Sequence, residues 1–318
     1  MSNPSVDGVA PPATAFLLAA GLGTRLRPLT LDRPKPLMPL CGVPMLDHAL
    51  ALCRQHGHAN VLVNAHWLWE QVAAWAVSRG VGLQVEQPEV LGTGGGLKAA
   101  RGRLAERFVV VNGDILCDID LTSLLDAVPE GGSAMALRAD PTLGARAPVD
   151  RDAEDVVVRM RDFAGTPGVG LPGTHFTGVH AADRDLLSLV PDGHQCIVRT
   201  AYTAVLPSRR VRSMLHAGAW VDIGTPDQYL AANLAVLDGT LPTPFDVWSE
   251  GERGPGGSWV GVGATIGGGV QRSIIGAGAT VPSGAVLRDC VVWDGVSVPA
   301  GVHESMVFHD SGALAVAR

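Results

Sequence analysis

The sequence predicts an α/β protein: a doubly wound, mostly parallel sheet followed by a small C-terminal module of stacked coils. Two patterns lead there. Short apolar runs ("FLLAA", "NVLVN", "GLQVE", "FVVVN") alternate with helical patterns from Ala15 to about Gly239, as they do where a parallel sheet is buried on both faces. Beyond residue 258 the chain changes to glycine-punctuated six-residue units, opened by Val260, Ile266, Ile275, Val281, Leu287, Val292 and Val298. A longer period overlies them, with Ile274, Cys290 and Met306 each sixteen residues apart. Repetition that keeps aliphatic residues in register implies coils that bury their corners on one another.

The elements follow in order. "AFLLAA" reads as the first buried strand. Pro44 suits the first position of a helix carrying Leu46, Leu50 and Cys53 on one face. A second helix is expected from Trp67, with Leu68, Val72 and Trp75 along its stripe; the spacing of Trp67, Trp69 and Trp75 suits core packing. Residues 139–174 show no regular pattern. "TPDQYLAANLAVLDG" is a helix with Thr225 and Gln228 as a capping box, Pro226 at its first position, Leu230, Leu234 and Leu237 on a shared face, and Gly239 as its stop. The expected boundaries are a frayed tail over 1–14, an α/β domain over 15–239, a Gly/Pro-rich linker over 240–258, the coils over 259–310 and a tail over 311–318.

Composition limits the function classes. The 318 residues are 47% hydrophobic and 17% charged, with a formal net charge of −7. That describes a globular chain large enough for two domains and disfavours a broad nucleic-acid surface. The five cysteines are scattered, with no CxxC pair, and read as reduced core thiols. The N-terminal residues lack a basic segment followed by an apolar one, and no apolar run reaches membrane-spanning length. The expectation is a cytoplasmic protein with neither a membrane nor a nucleic-acid partner.

The first strand leads into "GLGTRLRPLTLDRPKPL", residues Gly21 to Leu37, with Arg25, Arg27, Arg33 and Lys35 among glycines and prolines. It is not a dinucleotide fingerprint, because the third glycine position holds Leu26, and no GKS or GKT closes it as a Walker loop. The two glycines let backbone N–H groups face an anion. Pro34 and Pro36 restrict the backbone on both sides of Lys35. An ordinary strand-to-helix connection has little use for a lysine held so stiffly; a phosphate-gripping loop does.

On these residues the chain resembles the sugar-1-phosphate nucleotidyltransferases. "LAAGLGTRLRPLT" with "PKPLMPLCGVPML" is similar to their signature, and "VEQPEVLGTGGGLKAA", "VVVNGDI" and "AWVDIGTPDQYLAAN" follow in the family's order. The resemblance spans Ala15 to Gly239 and implies a Rossmann-like nucleotidyltransferase domain. The hexapeptides likewise resemble a short left-handed parallel β-helix. The family's reaction is attack by a sugar 1-phosphate on the α-phosphate of a nucleoside triphosphate, giving a nucleotide sugar and pyrophosphate. The nucleophile is already ionised, so catalysis should be positioning and charge neutralisation.

By resemblance, Asp114 and Asp222 hold Mg²⁺, while Arg25, Lys35 and Asp114 are catalytic. Arg25 would serve the leaving pyrophosphate and Lys35 the α-phosphate region. Ala20, Gly21, Leu22, Gly23, Thr24, Gln87, Gly92, Thr93 and Asn112 would bind the nucleotide. Gly178 and Arg161 would bind the sugar phosphate. One departure concerns this last pair: many members carry a Glu-Lys-Pro lysine in the second half, whereas no lysine follows Lys98 here. Arg159, Arg161 or Arg199 could substitute, since arginine binds phosphate bidentately.

The "LGT" at Leu91–Thr93 resembles guanylyltransferases, whereas "TGGG" and "VNGDI" also fit N-acetylmuramate-1-phosphate uridylyltransferases. The expectation leans to guanylyl transfer to mannose 1-phosphate or a related sugar phosphate, with uridylyl transfer as the alternative. Three coils leave little room for an acyltransferase. A non-catalytic nucleotide-sugar sensor is the rival of another class. A homo-oligomer is expected, built through the coils. His66, His303 and His309 lack metal-ligand spacing and read as structural or solvated.

Overall fold

The computed structural model describes residues 12–140, 148–160, 164–165 and 171–317. Strand β1 (Ala13–Leu18) begins two residues before the expected domain boundary. After the glycine-rich loop, β2 (Pro39–Leu40) and β3 (Val43–Pro44) make a small hairpin that leads into α1 (Met45–Gln55). Pro44 therefore sits one position ahead of the helix instead of within its first turn. It is extended at ψ 139° because it still belongs to the hairpin.

After β4 (Val61–Ala65), α2 (Trp69–Arg79) starts two residues later than the sequence pattern suggests. Leu68, at φ +48°, breaks the helical path, and Trp67 turns away to donate its indole N–H to the Thr30 carbonyl at 2.9 Å. The chain continues through β5 (Gly82–Val85), α3 (Gly92–Ala99), β6 (Leu104–Asn112), β7 (Ile115–Cys117) and α4 (Leu121–Asp126). Next come β8 (Ser133–Ala139), β9 (Val149–Arg151), β10 (Val157–Met160), β11 (Ala164–Gly165) and the long β12 (Leu171–Asp183). Then follow α5 (Thr203–Val205), β13 (Val211–Leu215), β14 (Trp220–Asp222) and α6 (Pro226–Leu237).

The main sheet is mixed and ten-stranded, and runs β5-β4-β1-β6-β12 through its centre. Strands β1, β4, β5 and β6 are parallel, while β12 runs antiparallel to β6. Neighbours along β1 explain the unbroken apolar run: Phe16 and Leu17, both fully buried, point into separate clusters on the two faces. Each such side chain contributes about 1.5–3 kcal/mol. Beyond β12 the sheet forks into β8 with β13 and into the antiparallel β9, β10 and β11.

Helix α6 begins at Pro226 and is followed by Gly239 at φ +73°, as its sequence implies. The capping box does not close. The Thr225 side chain makes no cap bond, and the Gln228 carbonyl oxygen accepts from the Gly224 amide at 2.9 Å, one residue too early. The Thr225 hydroxyl serves Asp227 instead and helps hold that carboxylate below its ordinary range.

Residues 240–258 carry order of their own. Val247 is buried, and Gly251–Arg253 pairs antiparallel with Trp259–Gly261. Then short parallel strands stack in columns: Trp259–Gly261, Ile274–Ile275, Val291–Val292 and Met306–His309 in one; Thr265–Ile266 and Thr280–Val281 in another; Gly269–Gln271, Ala285–Arg288 and Gly301–Glu304 in a third. Ile275, Val281, Leu287, Val292 and Val298 share the enclosed core.

The sixteen-residue register needs correcting by one position. Ile274 pairs with Val291, and Val291 with Val307. The left-handed corners Arg272, Asp289 and Ser305 repeat the same spacing, so the coil that starts at Ile274 is one residue longer than the coil that starts at Val291. Gly312–Ala315 returns antiparallel to Met306–His309. Among the described residues, no helix is long and apolar enough to cross a membrane.

Two buried histidines make stability depend on pH. Burial lowers the pKa of His48 to about 4 and that of His180 to about 3; His180 Nδ1 meets the Tyr202 hydroxyl. Both are neutral in the fold, whereas the unfolded chain protonates them near pH 6.5. Stability is therefore whole above that pH and falls as pH drops toward 4. Each histidine contributes a slope of up to about 1.4 kcal/mol per pH unit. Urea midpoints measured from pH 7.5 to 4.5 should fall steadily; a flat profile would show that these rings take up protons in the fold as readily as in the unfolded chain.

Candidate active site

The site is built at the C-terminal ends of β1, β4, β5 and β6, where a parallel sheet presents its ligand crevice. A cavity of about 220 Å³ lies there, lined among others by Ala20, Gly21, Lys35, Glu86, Thr93 and Asp114. Gly23 takes φ +61°, and a Cβ there would press within 3.0 Å of Thr30 and 3.1 Å of Lys35. The Thr30 hydroxyl donates to the Gly23 carbonyl at 2.8 Å, closing the loop on itself. Among the described residues, nothing accepts from the amides of Leu22, Gly23 and Thr24, and a Cβ at Gly21 would meet open space. Such a run of free N–H groups suits an anion.

Lys35 is only 8% exposed, and its Nζ reaches Asp114 Oδ2 at 2.5 Å and Asp222 Oδ1 at 3.9 Å. The antiparallel pairing of β7 with β14, which sets Asp222 opposite Ile115, brings the two carboxylates together across 108 residues of chain. The Ile223 amide also donates to the Asp114 carbonyl at 3.3 Å. Exposed Arg25 lies over Gly224, where a Cβ would stand 2.9 Å from its guanidinium.

The residues present fit Mg²⁺. Two hard oxygen donors, Asp114 in the turn before β7 and Asp222 at the end of β14, already share a cation, the Lys35 ammonium. Mg²⁺ commonly takes one or two protein carboxylates and completes its shell with phosphates and water.

The other expected residues divide. Thr93, Gly92 and Asn112 line the cavity. Gln87 is exposed and lies outside its lining. Gly178, at φ +82°, lies against Asn112: a Cβ would come within 2.6 Å of the Asn112 amide nitrogen. Arg161 lies outside the described residues. Arg159 is already committed to Asp150 through a 2.5 Å ion pair, and Arg199 is exposed in the helical stretch that precedes α5. His66 Nδ1 meets the Glu86 carbonyl at 2.8 Å, and His303 Nε2 the Pro299 carbonyl at 2.9 Å.

The glycines of "GTGGG" have a packing reason besides any ligand. A Cβ at Gly94 or Gly95 would strike the backbone of residues 193–197, and one at Gly96 would come within 2.5 Å of Glu86 Oε1.

Sequence reasoning misses Asn64 and Glu86. Asn64 accepts from the Ala19 amide at 2.7 Å and donates to Glu86 Oε1 at 2.7 Å; Glu86 Oε2 accepts from the Leu91 amide at 2.8 Å. This buried relay ties the start of the glycine-rich loop to the loop before α3. A signal exists: Asn64, Glu86 and Asn112 are the polar residues that close three apolar strand runs at the ligand-facing edge.

Comparison with known proteins agrees with this geometry. The profile of the family described as "Nucleotidyl transferase" matches residues 14–142, from β1 past Asp114. Mannose-1-phosphate guanylyltransferase of Mycobacterium tuberculosis is 31% identical over 305 residues, covering 90% of this chain and 81% of that protein. The chain belongs to the nucleotidyl transferase family. N-acetylmuramate alpha-1-phosphate uridylyltransferase of Neisseria meningitidis is 32% identical over 222 residues, covering 66% of this nucleotidyl transferase and 93% of its relative. The crystal structure of HddC from Yersinia pseudotuberculosis complexed with GMP-PN superposes with a TM-score of 0.56 at 22% identity, over 70% of this chain and 98% of that one. That likeness concerns the α/β fold.

Proposed function

We propose that this enzyme transfers a guanylyl group from GTP to mannose 1-phosphate or a closely related sugar 1-phosphate, releasing pyrophosphate. The observation that carries the reading is the meeting of Lys35, Asp114 and Asp222 beside a loop of free amides. A sugar-phosphate oxygen attacks the α-phosphorus as the bond to the β-phosphate oxygen breaks. Both reactants are polyanions, so the site must gather positive charge without supplying a base. The amides of Leu22 to Thr24 and Arg25 would take the β- and γ-phosphates, and Lys35 the α-phosphate. Asp114 and Asp222 would hold Mg²⁺, which supplies further neutralisation of phosphate charge when bound. Asn112 and Gly178 would border the sugar-phosphate side, with its cation supplied by an arginine. We assign the reaction to residues 15–239 and read the stacked strands that follow as a short left-handed β-helix.

The guanylyl choice draws support from the mycobacterial relative, whose match over 90% of this chain must take in part of the C-terminal strands. The uridylyltransferase relative, at 32% identity, supports the second reading. Pyrophosphate release with Mg²⁺, across four nucleoside triphosphates and a panel of sugar 1-phosphates, tests both. Release with GTP and mannose 1-phosphate at least tenfold above other pairs is the expected result. Preference for UTP with N-acetylmuramate 1-phosphate would establish the second reading. Silence across the matrix with nucleotide binding intact would make the protein a sensor.

A further inference from the structure

We infer that the C-terminal strands position the phosphate loop, and that Trp293 and Asp310 act at a distance on Lys35. The loop is held on both sides of that lysine, on one side directly by Trp293, Asp310 and Ser311 and on the other through Tyr229 of α6, on which Trp293 bears. On the near side, Arg33 Nη2 donates to both oxygens of Asp310 at 3.1 and 3.2 Å. Its guanidinium also lies over the Trp293 ring, 4.5 Å from the centroid, an arrangement that favours a desolvated cation. Ser311 adds a hydroxyl bond to Asp32 at 2.5 Å. On the far side, the Trp293 indole N–H donates to the Tyr229 hydroxyl at 3.0 Å, and that hydroxyl donates to the Pro39 carbonyl at 2.5 Å.

Trp293 is thus common to both ties. It is 1% exposed, and its backbone amide is fixed by the Phe308 carbonyl at 2.9 Å within the stacked strands. Between the two ties lie only Pro34 to Met38, a stretch with two prolines and a short 3₁₀ turn. Little backbone freedom remains there to absorb a displacement, so a shift of the Asp310–Ser311 turn moves Lys35 against Asp114. The apolar cluster beneath carries the same connection: Leu26, Leu29, Met38 and Leu40 from the loop region pack with Trp259, Ile274, Trp293 and Val307. Trp293 and Asp310 touch no reacting group in this arrangement and are positioning residues.

The inference rests on the reading that residues 21–37 grip the triphosphate, and its test separates the two. The 318-residue chain is compared with Asp310→Ala, Asp310→Glu, Trp293→Phe and Lys35→Ala. The readouts are amide hydrogen exchange without ligand and kcat/KM with the best substrate pair from the matrix above. The Arg33–Asp310 pair is partly exposed, so a merely structural role predicts almost no change in stability or activity. A positioning role predicts faster exchange in peptides covering residues 22–38 with the central sheet unchanged. It also predicts a loss of about tenfold in kcat/KM for Asp310→Ala, as small misplacements of catalytic groups cost, and recovery of most of that loss in Asp310→Glu, which keeps a carboxylate for Arg33. Asp310→Ala within twofold of wild type, with unaltered exchange, overturns the inference even if Lys35→Ala is inactive. An active Lys35→Ala would overturn the reading of the loop instead.

Discussion

Asp114→Asn should abolish almost all nucleotidyl transfer while leaving a folded protein, with kcat lower by about a thousandfold, as expected when a charge-stabilising group is lost from a transition state. The substitution keeps the shape and one carbonyl oxygen for Lys35 but removes the charge. In the native site the Lys35 ammonium is nearly buried, 2.5 Å from Asp114, and Asp222 stands at 3.9 Å. Without the Asp114 charge, Asp222 is the one carboxylate left beside Lys35, and on the proposed reading it would have to serve the metal as well. The fold tolerates this because both carboxylates are partly exposed, at 29% and 42%, so water screens the lost pair. The thermal midpoint should therefore move by only a few degrees. Initial rates with saturating Mg²⁺ decide the matter. If Asp114→Asn retains more than a tenth of wild-type kcat, the paired aspartates are not where the phosphates are neutralised.

Why is so much of this site legible in the sequence? The loop from Gly21 to Leu37 declares itself through residue types that conflict with ordinary loop needs: a lysine locked between prolines, and glycines directly after a buried strand. Asp114 and Asp222 are placed by resemblance alone, since nothing in their local sequence says that β7 and β14 pair. The relay of Asn64 and Glu86 is harder to see. Its members lie 22 residues apart, Asn64 on β4 and Glu86 just past the end of β5, and only the sheet order, with β4 between β1 and β5, brings them together.

The glycines after Leu91 invite a ligand explanation, yet residues 193–197 pack on them so closely that side chains could not fit. Tertiary contact of that kind leaves no local trace. The repeat is legible from its aliphatic corners, but not its register, because successive coils differ in length. A stand-in for the second-half lysine is not legible either: Arg159 looks available by sequence but pairs with Asp150.

The same long-range packing predicts that Trp259→Ala will be among the most damaging single changes in the chain, costing about 3–5 kcal/mol, as large core aromatics do on truncation. Trp259 opens the first stacked strand, is 1% exposed, and donates its indole N–H to the Val247 carbonyl at 3.0 Å. The ring is enclosed on two sides by glycines that admit no substitute. A Cβ at Gly42 would stand 2.0 Å from it, and one at Gly251 2.4 Å. Gly42 belongs to the turn of the hairpin behind Lys35, and Gly251 to the strand that pairs with Trp259. The indole therefore fills the seam between the phosphate-loop side of the α/β region and the stacked strands, and its loss leaves a cavity that backbone on both sides is too constrained to fill.

Denaturant unfolding followed by far-ultraviolet circular dichroism distinguishes the possibilities. If the seam joins the regions into one cooperative unit, Trp259→Ala should lower the single midpoint and keep the slope. If it splits the transition in two, the stacked strands will unfold first, and activity should disappear with that earlier step, because the ties on either side of Lys35 disappear with them. A loss of stability below about 1 kcal/mol, or activity that survives the first transition, would mean that the C-terminal strands are an appendage and that the α/β region holds its own loop in place.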